Sequence, residues 1–346
     1  MKPWTYAAHG TKAAYTTRHV RLESAVSVET ADRPDAGDLV LARVTEIGQH
    51  KRLELPDGRR AALYEGDEIV VAYGNRYAPD QFEAVVPEDL GPCHLVAAGG
   101  IAATILSQHT QMEDATCLEP LGLLVDADGR RINLRKWCLP QPSVGDVHPW
   151  TIVVTGSSMN AGKTTTAAAI IRGLSASGRS VAAGKVTGTG AGGDVWLMSD
   201  AGANPVLDFT AAGFASTYLC TPDQIERSLR VLHGNLAANQ PDAIVLEIAD
   251  GLLQRETSVL LGSALLADVT DAVVFAACDA LSAVGGVGTL RRLGLPVVAV
   301  SGVVTASPLA TRETQAGLDL PVLTPDELIS DPSAVLARQR AVAGVA

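Results

Sequence analysis

Apolar residues in the second half of this chain fall into short runs, separated by alanine- and leucine-rich stretches of helical period. The runs 151–155, 180–186, 243–248, 272–277 and 296–301 read as strands, and helices are predicted near 163–177, 222–238 and 281–293. This β–α alternation predicts a mostly parallel, three-layer sheet. The first half is patterned differently. From Gly37 to about Val86 the short β-like runs Leu39–Val44, Arg60–Tyr64 and Glu68–Tyr73 are separated by turn signals such as Pro56-Asp57-Gly58 and Gly66-Asp67. Strands so short and so close predict a small barrel or meander. Gly99–Leu106 is expected to open a helix after its glycines, and Leu121–Val125 followed by Asp126–Gly129 to form a hairpin. Residues 1–36 lack a clean period and are expected to be flexible or only partly ordered against the body.

Trp137–Gly145, with two prolines and a glycine, is the best linker candidate. The expected organisation is therefore α/β, with a smaller β-rich (α+β) N-terminal domain over 1–145 and a three-layer domain over 146–346. A length of 346 residues suits two domains, and a hydrophobic content of 47% supplies a core for each.

The chemistry concentrates in Thr151-Ile-Val-Val-Thr-Gly-Ser-Ser-Met-Asn-Ala-Gly-Lys-Thr-Thr-Thr166. A strand runs into a Gly/Ser loop, then Gly162-Lys163-Thr164, then a helix, which is the order of a phosphate-binding P-loop. Backbone N–H groups across Ser158, Met159, Asn160, Ala161, Gly162, Lys163, Thr164 and Thr165 are expected to face phosphate oxygens. Lys163 adds a point charge and Thr164 a hydroxyl for Mg²⁺. Five residues separate Gly156 from Gly162, so Ser157 stands where the first glycine of the common spacing falls.

Residues 151–346 hold ten arginines but only two lysines, Lys163 and Lys185, each at the C-terminal end of a predicted strand. Ligands bind at that edge of open α/β sheets, and arginine's planar fork does not replace a compact ammonium. After Lys185 come Gly188, Gly190 and Gly193, which spell G-x-G-x-x-G, with Asp208 available as a ribose acid. A mobile glycine-rich substrate loop is the more economical reading than a second, dinucleotide site. Asp194 opens the next helix, as a first-turn carboxylate, a Mg²⁺ ligand, or both. The strand 243–248 carries Glu247 at its end, where a carboxylate suits a Walker-B role, with Asp250 a weaker second candidate.

The net charge of −11 is spread over both halves, so no basic stripe recommends a nucleic acid or an anionic membrane as partner. Five scattered cysteines without a Cys-x-x-Cys spacing argue against a disulfide framework and a zinc site, and no run reaches membrane-helix length. A cytoplasmic location is expected. Cys93, His94 and His109 read as ordinary residues rather than a metal cluster, and Asp279 has no evident partner.

On these motifs the C-terminal half resembles dethiobiotin synthetase and its relatives in the MinD/signal-recognition class. The five-residue gap before Gly162-Lys163-Thr164, the Lys185-Val-Thr-Gly-Thr-Gly190 stretch, the helix-opening Asp194 and the strand-end Glu247 carry the likeness over roughly 150–325. The resemblance implies that Lys163 binds phosphates and that Thr164, Asp194 and Glu247 hold Mg²⁺. It implies further that Lys185 neutralises the transferring phosphoryl, with Thr189 and Gly190 facing the acceptor. Thr305 stands where that family has an adenine-reading Asn. Ser158 stands where the MinD/ArsA subgroup has a lysine, which disfavours a partner-activated switch. The N-terminal ~145 residues have no counterpart there. The implied activity is a Mg·ATP-dependent kinase or ligase acting on a small-molecule acceptor, as a homodimer. The rivals are a nucleotide-gated regulatory or chaperone-like ATPase with a protein partner, and a P-loop protein that binds a nucleotide-containing cofactor without hydrolysis.

Overall fold

Most strands in the first 140 residues are too short to bury a face alone; of the twelve among the described residues ten share one sheet and the other two pair with each other. The computed structural model of the protein describes residues 2–6, 10–30, 33–142 and 148–336. The chain divides into two compact units. The first combines Met1–Pro140 with Gly188–Trp196 and Asp208–Cys220; the second holds Gln141–Thr187, Leu197–Leu207 and Thr221–Ala346. The division expected between 145 and 146, with the end of the linker candidate, lies in 143–147, outside the described residues.

In the first unit the strands are β1 (Lys2–Pro3), β2 (Lys12–Ala13), β3 (Ala25–Glu29), β4 (Leu39–Glu46), β5 (Arg52–Glu54) and β6 (Arg60–Ala62). They continue with β7 (Glu68–Tyr73), β8 (Arg76–Tyr77), β9 (Phe82–Val85), β10 (Cys93–Ala97), β11 (Ile101–Gln108) and β12 (Thr116–Asp126). Five of them close a ring: β4 pairs β7, β7 pairs β11, β11 pairs β10, β10 pairs β12, and β12 returns to β4. The expected β-rich fold is present, with Leu39–Val44 and Glu68–Tyr73 falling in β4 and β7 of this ring. Arg60–Tyr64 falls outside it, in β6, which pairs with β5 as a separate two-stranded sheet. Strands beyond the expected 37–86 complete the ring. Closure leaves these strands no free edge, the hazard of any short sheet.

Alternate residues sort into two apolar clusters, as the period-two pleat requires. Val40, Ala42, Val44, Ile69, Val71, Tyr73, Leu95, Ala102 and Leu118 belong to one. Leu39, Leu41, Val70, Ala72, Val96, Ile101, Ala103 and Leu124 belong to the other, together with Trp4, Val20, Leu22 and Val28. From the described part of 1–36, Trp4, Val20, Leu22 and Val28 thus pack into this core, and Tyr15 is wholly buried. Gly99–Leu106 departs from expectation. Instead of a helix, Ile101–Gln108 is a strand, antiparallel to β10 and β9 and parallel to β7. Its β-branched Ile101, Thr104 and Ile105 suit a pleat, and the glycines form the β10–β11 turn, where Gly100 has φ 95°, rather than a helix start. At Asp126–Gly129 the expected hairpin is a tight turn closed by one bridge, Val125 to Arg131.

The second unit carries β13 (Trp150–Gly156), β14 (Val181–Lys185), β15 (Val206–Asp208), β16 (Ala243–Glu247), β17 (Ala272–Ala276) and β18 (Val297–Ser301). Their order is β15-β14-β16-β13-β17-β18. The ladders β13–β16, β13–β17, β14–β16 and β17–β18 are all parallel, as the rhythm predicts. The helices are α1 (Lys163–Ala176), α2 (Gly193–Asp200), α3 (Pro222–Ala237), α4 (Arg255–Leu261), α5 (Ala264–Val269), α6 (Ala280–Arg292), α7 (Pro308–Ala316), α8 (Pro325–Ser330) and α9 (Ser333–Leu336). α1 packs Ala167, Ile170, Ile171 and Leu174 on Ile152, Val154, Ala183 and Val245. The opposite face takes α3, whose Leu236 sits on Gly184, and α6, whose Gly286 sits on Phe275. Three layers result. Among the described residues no helix is long and apolar enough to cross a membrane.

Candidate functional site: a phosphate loop at the carboxyl edge of the parallel sheet

Strand β13 is central, flanked by β16 and β17, and the chain leaves it through the glycine loop into α1. Such a position, at the carboxyl ends of parallel strands where connections diverge, is where open α/β sheets bind ligands. Three glycines permit the loop's path. Gly162 caps α1 with φ 93°, in the left-handed region. A Cβ on Gly156 would lie 2.8 Å from Ala276 O and 2.9 Å from Lys163 Cγ, so its absence lets the lysine stem lie across the loop. A Cβ on Gly302 would come within 2.3 Å of Ala161 O. Backbone bonds fix the loop from both sides: Ser157 N–H to Ala276 O at 2.9 Å, Leu252 N–H to Gly156 O at 3.1 Å and Val303 N–H to Ala161 O at 3.0 Å.

Lys163 is only 6% exposed, and its Nζ donates to Ser158 O across the loop at 2.7 Å. Thr164 Oγ1 donates to Glu247 Oε1 at 3.2 Å, and Glu247 is 1% exposed at the end of β16. Lys185 is in register with Glu247 on the neighbouring strand. The turn after Glu247 presses against the loop, since a Cβ on Gly251 would meet Ser157 O at 2.6 Å; Asp250 lies in that turn. Its carbonyl at Ala249 accepts from the hydroxyls of Thr187 and Thr257. Thr165 and Asn160 are exposed, Met159 half-buried and Ala161 buried. Thr305 follows β18 in a 3-10 turn and donates its hydroxyl to Gly302 O at 2.8 Å.

A hydroxyl and a carboxylate set one hydrogen bond apart, beside a buried lysine, are hard oxygen donors that fit Mg²⁺ and a phosphate chain. Among the described residues no group of three or more His, Cys, Asp and Glu side chains is gathered for a metal.

The second unit thus brings together Ser158–Thr165, Lys185, Glu247, Asp250 and Thr305. Thr189, Gly190 and Asp194 fall in the first unit: Thr189 bridges Ser216, Gly190 N–H donates to Ala215 O at 2.9 Å, and Asp194 lies in the first turn of α2. Asp208, considered as a ribose acid, is instead a structural ion. It accepts from Tyr15 Oη and Arg18 Nη2, both at 2.8 Å, and from Thr210. Burial raises its pKa, but Arg18 and the three donors outweigh that and hold it below the usual range. Asp279 caps α6, with Ser282 returning the bond. Sequence reasoning missed Cys278, whose Sγ lies 3.4 Å from Ser158 Oγ and 3.6 Å from Ser157 Oγ.

No family model matches the sequence, and no curated protein matches it. Several solved structures are similar in part. The signal recognition particle receptor FtsY from Elizabethkingia anophelis matches at 15% identity and TM-score 0.33, over 53% of this chain and 60% of that one. The signal recognition particle 54 kDa protein from Aeropyrum pernix K1, in complex with GDP, matches at 17% and 0.35, over 54% and 44%. The kinase domain of Escherichia coli tyrosine kinase ETK matches at 12% and 0.33, over 45% and 68%. The first two are spanned over less than two thirds of their length. Likenesses this distant carry no argument, and the fold rests on its own strand order and loop geometry.

Proposed function

We propose that this protein is a Mg·ATP-dependent enzyme that transfers the γ-phosphoryl group to a small-molecule acceptor, as a kinase or as a ligase that activates its substrate. The observation that carries the reading is the Thr164–Glu247 hydrogen bond beside the buried Lys163, at the carboxyl edge of the sheet. Mg²⁺ would supply charge neutralisation on the phosphate oxygens, with Thr164 and Glu247 as its protein donors. Lys163 would exchange its Ser158 carbonyl for phosphate oxygens. Lys185, aligned with Glu247 on the next strand, would balance charge on the transferring group. Thr189 and Gly190, in the first unit, enter on the resemblance to dethiobiotin synthetase; Asp194, also in the first unit, enters on that resemblance and on its place as the first-turn carboxylate of α2. The same resemblance supports a homodimer and ATP rather than another nucleotide.

Nucleotide affinity and turnover of purified protein test this. Lys163→Ala should lower Mg·ATP turnover by roughly a hundredfold or more, the scale for losing one transition-state donor. Glu247→Gln should raise the Mg²⁺ concentration needed for half-maximal turnover. Turnover equal to wild type in Lys163→Ala would refute the reading.

A further inference from the structure

The sequence predicts a mobile substrate loop over 188–193, yet in the first unit Gly188, Gly190 and Gly192 are all hydrogen-bonded through their backbone. Gly188 N–H donates to Thr217 Oγ1 at 2.8 Å and Thr217 N–H returns to Gly188 O at 3.0 Å. Gly192 N–H donates to Glu54 Oε2 at 3.0 Å. The other carboxylate oxygen, Oε1, accepts from the indole Nε1–H of Trp196 at 2.9 Å. The glycines serve close approach rather than freedom. A Cβ on Gly192 would stand 2.4 Å from both Glu54 Oε1 and Trp196 Nε1, and one on Gly190 would stand 2.5 Å from Ala215 O.

Glu54 is 2% exposed, and a buried carboxylate carries a desolvation cost that a neutral core residue would avoid. What the carboxylate uniquely offers is two acceptor oxygens and no donor, so one side chain satisfies a backbone N–H and an indole N–H together. A glutamine would turn its NH₂ toward one of those donors. The group is held rigidly. Glu54 ends β5, its own N–H donates to Ala98 O at 2.8 Å, and the turn joining β5 to β6 lays Gly58 against the Trp196 indole. Tyr15 meets the same indole edge-on, with ring centroids 6.1 Å apart.

We propose that Glu54 is a positioning residue. By clamping Gly192 and Trp196 it fixes the glycine loop, which carries Thr189 and Gly190, and the first turn of α2, which carries Asp194. This rests on the phosphoryl-transfer reading above.

The test uses the full chain as wild type, Glu54→Gln and Glu54→Ala. Amide hydrogen exchange over 188–196 and tryptophan emission report the loop; Mg·ATP turnover and equilibrium ATP affinity report the site. In Glu54→Ala, exchange at 188–196 should rise at least tenfold and turnover fall at least tenfold, with ATP affinity within twofold of wild type. Glu54→Gln, keeping one acceptor, should fall between the two. Should Glu54→Ala fail to fold, Glu54→Gln decides by the same readings. Unchanged exchange, or a loosened loop with wild-type turnover, would overturn the positioning role while leaving phosphoryl transfer standing. A wild type that neither binds nor turns over Mg·ATP would remove the phosphoryl-transfer reading, and this role with it.

Discussion

Cys278 lies against the hydroxyls of Ser157 and Ser158, so a nucleotide seated on the loop should shield it. Alkylation followed by mass spectrometry is expected to modify Cys278 several-fold more slowly with saturating Mg·ATP, while Cys117 and Cys220, half-buried in the first unit, keep their rates. Equal rates at Cys278 with and without nucleotide would count against occupancy of this loop. The contrast with Lys163 and Thr164 shows which residues a sequence reveals. Those two sit in one uninterrupted strand–loop–helix run, so spacing alone locates them. Glu247 is legible because an acid ending an apolar strand is unusual. Cys278 touches the loop only because β17 pairs beside β13, with Gly156 opposite Ala276, and nothing local encodes that. Tyr15 and Asp208, 193 residues apart, are hidden for the same reason.

Helix α6 offers a test of packing against propensity within one element. Gly285 and Gly286 are neighbours, but a Cβ on Gly285 meets nothing within 4 Å, whereas one on Gly286 lies 2.2 Å from the Phe275 ring. Alanine in place of a helical glycine gains about 1 kcal/mol of propensity. At Gly286 that gain opposes overpacking of a filled core, which costs about 1–3 kcal/mol. Gly285→Ala should therefore raise the urea midpoint and Gly286→Ala lower it. Two rises would show that the helix moves freely off the sheet, and a fall at Gly285→Ala would show that propensity does not govern that position. In this unit β13, β14, β16, β17, β18 and the three longest helices, α1, α3 and α6, match the sequence reading within a residue, because each of those strands is an apolar run and each of those helices a long one. β15 and the short helices α4, α5, α7, α8 and α9 have too few residues to show a period, and the sequence reading misses them. Strand β11, in the first unit, reads as helix from sequence because its start, Ile101-Ala-Ala-Thr-Ile-Leu106, fits either period. The barrel partners on both its edges made the choice.

Acid sensitivity belongs to the molecule as a whole and follows from buried histidines. In the first unit, burial lowers His19 to about 4, aided by the Arg18 charge against a smaller opposing pull from Asp208. Burial lowers His50 to about 4 as well, aided by Arg76 and opposed by its hydrogen bond to Val96 O. Both side chains stay neutral in the fold while an unfolded chain would protonate them near 6.5. Between those values the unfolded state binds more protons, so stability rises with pH. It is complete above pH 6.5 and falls as the pH drops toward 4, by on the order of 3 kcal/mol for each histidine at the limit. Asp208, with its pKa held down, adds a loss only at still lower pH, below its unfolded value of 3.8. His233, in the second unit, is lowered by burial too, so that unit shares the direction with one histidine rather than two. Urea unfolding followed by hydrogen exchange should show the midpoint of the first unit dropping between about pH 7 and pH 5 by more than that of the second. Replacing His19 and His50 together with Gln should flatten the dependence of the first unit, at the cost of some stability at neutral pH. A double variant that loses as much between the two pH values as the wild type would place the acid sensitivity elsewhere.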